Sequence, residues 1–326
     1  MWIRRHLLVL LCLTFFGCYG FFGKRLLASS DGTIGTSIIS SSWTKLPDMP
    51  CDREQHGFEA CNGVLYVVGG HDINGNYPDF LSFDGRWNEL GKPPIVVQSP
   101  VLKAVGNKLY LIGGYMPPKK YANVFVYDTA LRQWTEKTPM LTAREDMGAA
   151  VIGNKIYVFG GVVQGHVLTN NLEVYNTVTD TWRNISNSQR PRALGDFACG
   201  WDGRMYFVSG TNTMNGYPYV LKPTQSLLSY DPLIDVWLEL PEIPIGRCYG
   251  EVVAYDSKLY IVSGATSSIY NSIPNVQIYD IAENQWCKTE PLPYSARGIS
   301  LAIMGSSIYA SGGTGHADFY RYEVTK

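Results

Sequence analysis

An excess of charge of either sign is missing from this chain. Lys and Arg number 27 against 28 Asp and Glu, and no basic run stands out, so the electrostatic footprint of a nucleic-acid binder is absent. Histidine is scarce, at five residues with no H-x-H or H-E-x-x-H spacing, and no metal is expected. Cysteine supplies no framework. Of seven, two lie near the N terminus, and Cys51, Cys61, Cys199, Cys248 and Cys287 are odd in number and scattered; one or two bridges stay open. No Gly-rich phosphate loop, Ser/His/Asp order or paired-carboxylate motif is present, and no cofactor is expected.

Long apolar runs are also missing, with one exception. Arg4 and Arg5 precede an uncharged, mostly apolar stretch from Leu7 to Gly23. Residues 1–25 have the layout of a secretory signal with a cut after Gly20, or of an uncleaved type II membrane anchor at the short limit for spanning a bilayer. Residues 26–40, rich in Ser, Gly and Thr, read as a flexible linker. Any membrane contact is expected only through this first segment. The expected location is the secretory pathway, secreted or anchored; a cytosolic chain is the alternative. Asn184-Ile185-Ser186 is a glycosylation sequon whose use would require that route.

Glycine (33), tyrosine (22) and tryptophan (8) are plentiful, and they recur. "NGVLYVVGG", "NKLYLIGG", "NKIYVFGG", "GRMYFVSG", "SKLYIVSG" and "SSIYASGG" are six copies of one segment, with tyrosines Tyr66, Tyr110, Tyr157, Tyr206, Tyr260 and Tyr309. Tryptophans keep the same rhythm at Trp43, Trp87, Trp134, Trp182, Trp237 and Trp286. An aromatic–acid or similar pair precedes each later tryptophan: Phe83-Asp84, Tyr127-Asp128, Tyr175-Asn176, Tyr230-Asp231 and Tyr279-Asp280. A period near 50 with several short strands per unit indicates a propeller. Each copy parses into strand a, a tight turn, the apolar strand b, strand c with the aromatic–acid pair, and strand d with the tryptophan. The sequence opens with a lone tryptophan strand and ends with a, b and c, so the strand around Trp43 is expected to close a six-bladed ring over residues 41–326.

Tyr-x-x-Gly-Gly, the downstream Tyr-Asp, the Trp and then Pro-x-x-x-Arg resemble kelch repeats from about residue 41 to 324. The expected fold is an all-β, six-bladed kelch-type propeller, monomeric. Ser209 and Ser263 replace the first glycine of their pairs, and Val97 stands where most copies have arginine. No BTB or BACK region precedes the propeller, so the ubiquitin-ligase adaptor role of many kelch proteins is not implied.

The d–a and b–c connections share one end of such a ring, and the long, varied b–c loops make it the expected functional face. Arg53, Arg144, Arg192, Arg247 and Arg297 lie 12 to 14 residues before the strand b tyrosines. Converging at the channel mouth, they would bind oxyanions bidentately. In kelch propellers that bind acidic peptides, arginines of this kind make such contacts, as the resemblance implies. The structural alternative has each arginine capping loop carbonyls or pairing with a local acid. His56, His71, His166 and His316 map to the same end, as do loop aromatics such as Tyr217. The candidate ligand-binding set is therefore Arg53, Arg144, Arg192, Arg247, Arg297, His56, His166 and Tyr217. The expected function is non-enzymatic recognition of a protein or acidic glycan, with loss of Arg144 or Arg247 weakening binding and sparing the fold. The alternatives are a sialic acid mutarotase-like epimerase, using Glu54, Glu145, His56 or His166 as acid/base, and an intracellular scaffold.

Overall fold

The computed structural model describes residues 42–187, 197–211, 222–267 and 271–324. The N-terminal segment, its linker, Arg192 and Tyr217 lie outside the described residues. Six four-stranded antiparallel sheets account for the repeats. Blade one runs Gly57–Cys61, Val64–Val68, Phe80–Phe83 and Trp87–Glu89; blade two Val101–Val105, Lys108–Ile112, Val124–Asp128 and Gln133–Lys137; blade three Gly148–Ile152, Lys155–Phe159, Asn171–Asn176 and Thr181–Asn187. Blade four runs Phe197–Trp201, Arg204–Val208, Leu227–Asp231 and Val236–Leu240; blade five Glu251–Tyr255, Lys258–Val262, Val276–Asp280 and Gln285–Lys288. Blade six is Ser300–Met304, Ser307–Ser311, Phe319–Glu323 and, from the other end of the chain, Trp43–Lys45, paired Trp43 to Tyr322 and Lys45 to Tyr320. The innermost strands touch in sequence around the ring, and strand a of blade one packs on strand a of blade six. Closure by the Trp43 strand is as the sequence led us to expect.

The repeated residues hold the blades in repeated ways. The tyrosine or phenylalanine ahead of each acid packs against the tryptophan of its own blade, with ring centroids 5.0 Å apart for Phe83–Trp87, 5.1 Å for Tyr127–Trp134 and 4.6 Å for Tyr230–Trp237. Trp87, Trp182 and Trp286 donate their indole N–H to carbonyls of Pro47, Thr138 and Pro241, just past strand d of the preceding blade. The acid caps the c–d turn: Asp128 accepts from the N–H groups of Ala130 and Leu131, both at 3.0 Å.

The paired glycines join blades. The second glycine of one blade donates its N–H to a carbonyl at the d–a junction of the next: Gly70 to Val97, Gly114 to Arg144, Gly210 to Arg247, Gly264 to Ala296 and Gly313 to Arg53, at 2.8–3.2 Å. Gly313 sits at φ +106°, and a Cβ there would lie 2.5 Å from the Ala296 Cβ, so the junction leaves no room for a side chain.

Candidate functional site

The inter-blade bonds define one junction register, occupied by Arg53, Val97, Arg144, Arg247 and Ala296. Arg53, Arg144 and Arg247 are in it and are at most 1% exposed. Each donates to the carbonyl ending strand b sixteen residues on: Gly69 at 3.2 Å, Gly160 at 3.1 Å and Ser263 at 2.9 Å. Each then reaches strand c or its approach. Arg53 grips Asp79 with two 2.7 Å bonds, touches the Cys51 sulfur at 2.9 Å and lies over the Tyr77 ring. Arg144 bonds the Asn171 carbonyl at 3.1 Å and pairs with Glu173 at 2.7 Å, an off-axis contact, ionic more than directional. Arg247 bonds the Asn275 carbonyl at 2.9 Å and the amide oxygen of Gln277.

These three arginines therefore do not converge on the channel mouth. Their guanidinium groups are buried inside the blades, bonded to strand carbonyls and a local acid or amide, and the structural alternative describes them. Burial without a carboxylate pulls the Arg247 guanidinium down to about 10. Blade two has Val97 in the arginine register and Phe125 where blade three has Glu173, so neither a buried cation nor its partner is present there.

Arg297 belongs to a different register. Ala296 occupies the junction position of blade six, so Arg297 aligns with Glu54, Gln98, Glu145 and Cys248. It is partly exposed and pairs with Glu54 at 2.9 Å, which also accepts from Thr314 at 2.6 Å and has His71 at 3.7 Å. The one-residue slip is what the spacing of 12 to 14 concealed. His56 lines the mouth cavity from within the wall: it is 4% exposed between blades one and six, 2.8 Å from the Ser311 hydroxyl. Burial, aided by Arg53, holds its pKa well below the usual histidine value, so it is neutral. His166 is exposed at a loop tip with φ +58°, and His316 contacts Asp318 at 2.7 Å. The histidines do not come together.

One further residue on, the chain turns left-handed in every described junction: Gln55, Ser99, Asp146, Tyr249 and Gly298 have φ of 50–65°. These residues ring the channel mouth, and their backbones link blades: Ser99 N–H donates to the Gln55 carbonyl at 2.8 Å, Gln55 to Gly298 at 2.9 Å and Gly298 to Tyr249 at 2.7 Å. Gln55 reaches across to Asp146 at 3.0 Å. The mouth cavity holds about 130 Å³, and a deeper one of about 220 Å³ is lined by Glu59, Lys103 and Cys199 among small apolar side chains. Lys103 lies 3.6 Å from Glu59. Burial pushes Asp146 and Glu251 up to about 7 and Cys199 up to about 12. Among the described residues the mouth is thus a small polar well with carboxylates and a lysine, and no arginine funnel. The well was not foreseen, because strand a alternation looks like ordinary packing; the left-handed Gln, Ser, Asp and Tyr carry no sequence mark.

Around the mouth, the b–c loops of the first three blades fold into small hairpins, His71–Asp72 with Gly75–Asn76, Tyr115–Met116 with Lys119–Lys120, and Val162–Val163 with Val167–Leu168. Asp72 accepts from the N–H groups of Asn74 (2.6 Å) and Gly75 (3.0 Å) to build the first turn. Lys120 is spent internally on Glu145. The tips present Ile73, 98% exposed, with Met116 and Val167 also in solvent. Among the described residues no group of three or more His, Cys, Asp or Glu is placed to hold a metal.

This geometry defines a class: a closed six-bladed propeller with structured loops raised around one end of a narrow channel. The chain belongs to the kelch-repeat family. A family model described as the KLHDC2/KLHL20/DRC7 Kelch-repeats domain matches residues 99–313. Similar proteins include Kelch-like protein terF of Aspergillus terreus, 27% identical over 71% of this chain and 54% of that protein. Alpha-scruin of Limulus polyphemus is 25% identical over 70% of this chain and 26% of its own length. Kelch-like protein 36 of Bos taurus is 24% identical over 93% and 42%. The chain spans about half or less of the length of these relatives.

Proposed function

We propose that this protein is a non-enzymatic recognition domain that binds a protein partner on the end carrying the d–a and b–c loops. The observation that carries the reading is the row of apolar side chains, Ile73, Met116 and Val167, exposed on hairpin tips of three consecutive blades. Large apolar side chains held out on structured loops suit the anchor positions of a protein interface. Kelch domains generally bind proteins. The acidic-glycan and sugar-epimerase readings needed arginines at the mouth, and the burial of Arg53, Arg144 and Arg247 removes their support.

A secretory location is supported by the leader-like sequence of residues 1–25 and by a sequon asparagine, Asn184, that is exposed on strand d of blade three. To test the function, the tagged full-length chain is used to capture partners, beside an I73D/M116D/V167D variant and an L131D variant on the opposite end. Loss of the captured protein in the triple variant alone, with melting temperature unchanged, is expected. Equal capture by the triple variant would overturn the assignment.

A further inference from the structure

The other end of the ring, where the a–b and c–d turns emerge, also carries an uneven apolar pattern. The c–d turn tips of three consecutive blades are large and aliphatic: Leu131 in blade two is 68% exposed, Val178 in blade three 73%, and Leu233 and Ile234 in blade four 90% and 65%. The equivalent turns of blades one and five carry no large aliphatic tip, with Gly85-Arg86 and Ala282-Glu283. Val236 and Leu238 extend the apolar strip along the outer strand of blade four.

Three features suit these tips to leaving water. The backbone N–H groups of three of them are already capped, Leu131 by Asp128, Val178 by Asn176 and Leu233 by Asp231, each at 3.0 Å, so insertion strands none of these three amide donors. The charges beside them are of both signs: Lys108 pairs with Asp128 and Arg204 with Asp231, and Arg132 is exposed next to Leu131. The described chain also enters at this end: Trp43–Lys45 runs antiparallel to strand c of blade six, so Ser42 lies at the c–d side, across the ring from blade three. Upstream, the apolar stretch Leu7–Gly23 is separated from Ser42 by residues 24–41, a length that spans at most about 60 Å.

We infer that the c–d end docks on a lipid bilayer, with Leu131, Val178, Leu233 and Ile234 inserted at the interface. This goes beyond partner binding at the opposite end and rests on the uncleaved-anchor reading of residues 1–25. Attachment by the chain at blade six and by the tips at blades two to four fixes the disc from opposite sides. The d–a/b–c end then faces away from the membrane, open to its partner. Charges of both signs around the tips, Arg132 and Arg204 among Asp128, Asp202 and Asp231, match a zwitterionic headgroup layer and give no reason for anionic lipid.

The test is lipid-borne photolabelling. The full-length protein is reconstituted in phosphatidylcholine vesicles containing a diazirine-tailed phosphatidylcholine, irradiated, and mapped by mass spectrometry. Label is expected on residues 7–23 and on peptides holding Leu131, Val178 and Leu233–Ile234, with none on Ile73, Met116 or Val167. In an L233D/I234D variant, label at Leu131 and Val178 should fall by roughly tenfold or more, because two buried aliphatic side chains exceed that factor in binding. Label on residues 7–23 with none on the turns would overturn the docking and leave the anchor standing. A chain that fails to stay with the vesicles would overturn both. Unlabelled turns in a dimer that L233D/I234D converts to monomer would assign this face to a second copy instead.

Discussion

Replacing Arg144 with alanine removes a side chain with no exposed surface that holds two backbone carbonyls, Gly160 and Asn171, and the carboxylate of Glu173, itself fully buried. Breaking a buried pair by deleting one partner costs about 3–5 kcal/mol, chiefly because the remaining charge is stranded. A domain of this size loses roughly 2–4 °C of melting temperature per kcal/mol, so R144A should melt on the order of 6–20 °C lower by calorimetry. The stranded Glu173 explains the cost, so R144M/E173M, which removes both charges, should regain most of it. A melting temperature for R144A within a degree or two of the parent would refute the clamp and restore the expectation that Arg144 serves a ligand and spares the fold.

The other predictions concern the same scaffold. Q277E should give Arg247 the carboxylate that Glu173 gives Arg144, exchanging a neutral hydrogen bond for a charge-assisted one; a gain of about 1 kcal/mol is expected, read as a rise in melting temperature. Glu251 is raised from 4.5 to about 7 mainly by burial, so between those values the folded state holds a proton that the unfolded chain gives up. Glu251's share of the stability should fall as pH rises across that window, by at most about 3 kcal/mol, and E251Q should reduce the slope of the melting profile there, leaving the share of Asp146, which is raised into the same window. W43A removes the closing strand's ring, tilted against Tyr322 at 5.2 Å, and should cost roughly 2–3 kcal/mol; an unchanged melt would mean that closure adds nothing to stability.

Much of the fold was legible because the residues that build it are chemically unusual and repeat. Tryptophan, the tyrosine–acid pair and the double glycine each perform one bond or contact per blade, so their period is the architecture. The site was less legible for a physical reason. Arg53, Arg144 and Arg247 recur because the same carbonyls are capped in three of the blades, and recurrence alone does not distinguish a clamp from a ligand-binding ring. Glu173 and Gln277, thirty or so residues downstream, were the missing signal: an acid or amide in the middle of a buried strand c needs a partner. Arg297 shows the limit of spacing, since one residue of slip moved it from the clamp into a pair with Glu54, which His71 also approaches. Ile73, Met116 and Val167 sat in loops whose hairpin pairing no periodicity announced.

The central claim is that partners are met on the d–a/b–c end. Hydroxyl-radical footprinting of the full-length protein, alone and with its captured partner, tests it most directly. The account predicts protection of Ile73, Met116 and Val167, with Leu131, Val178 and Leu233 unchanged by the partner. Protection of the c–d turns with the b–c tips still reactive would contradict it.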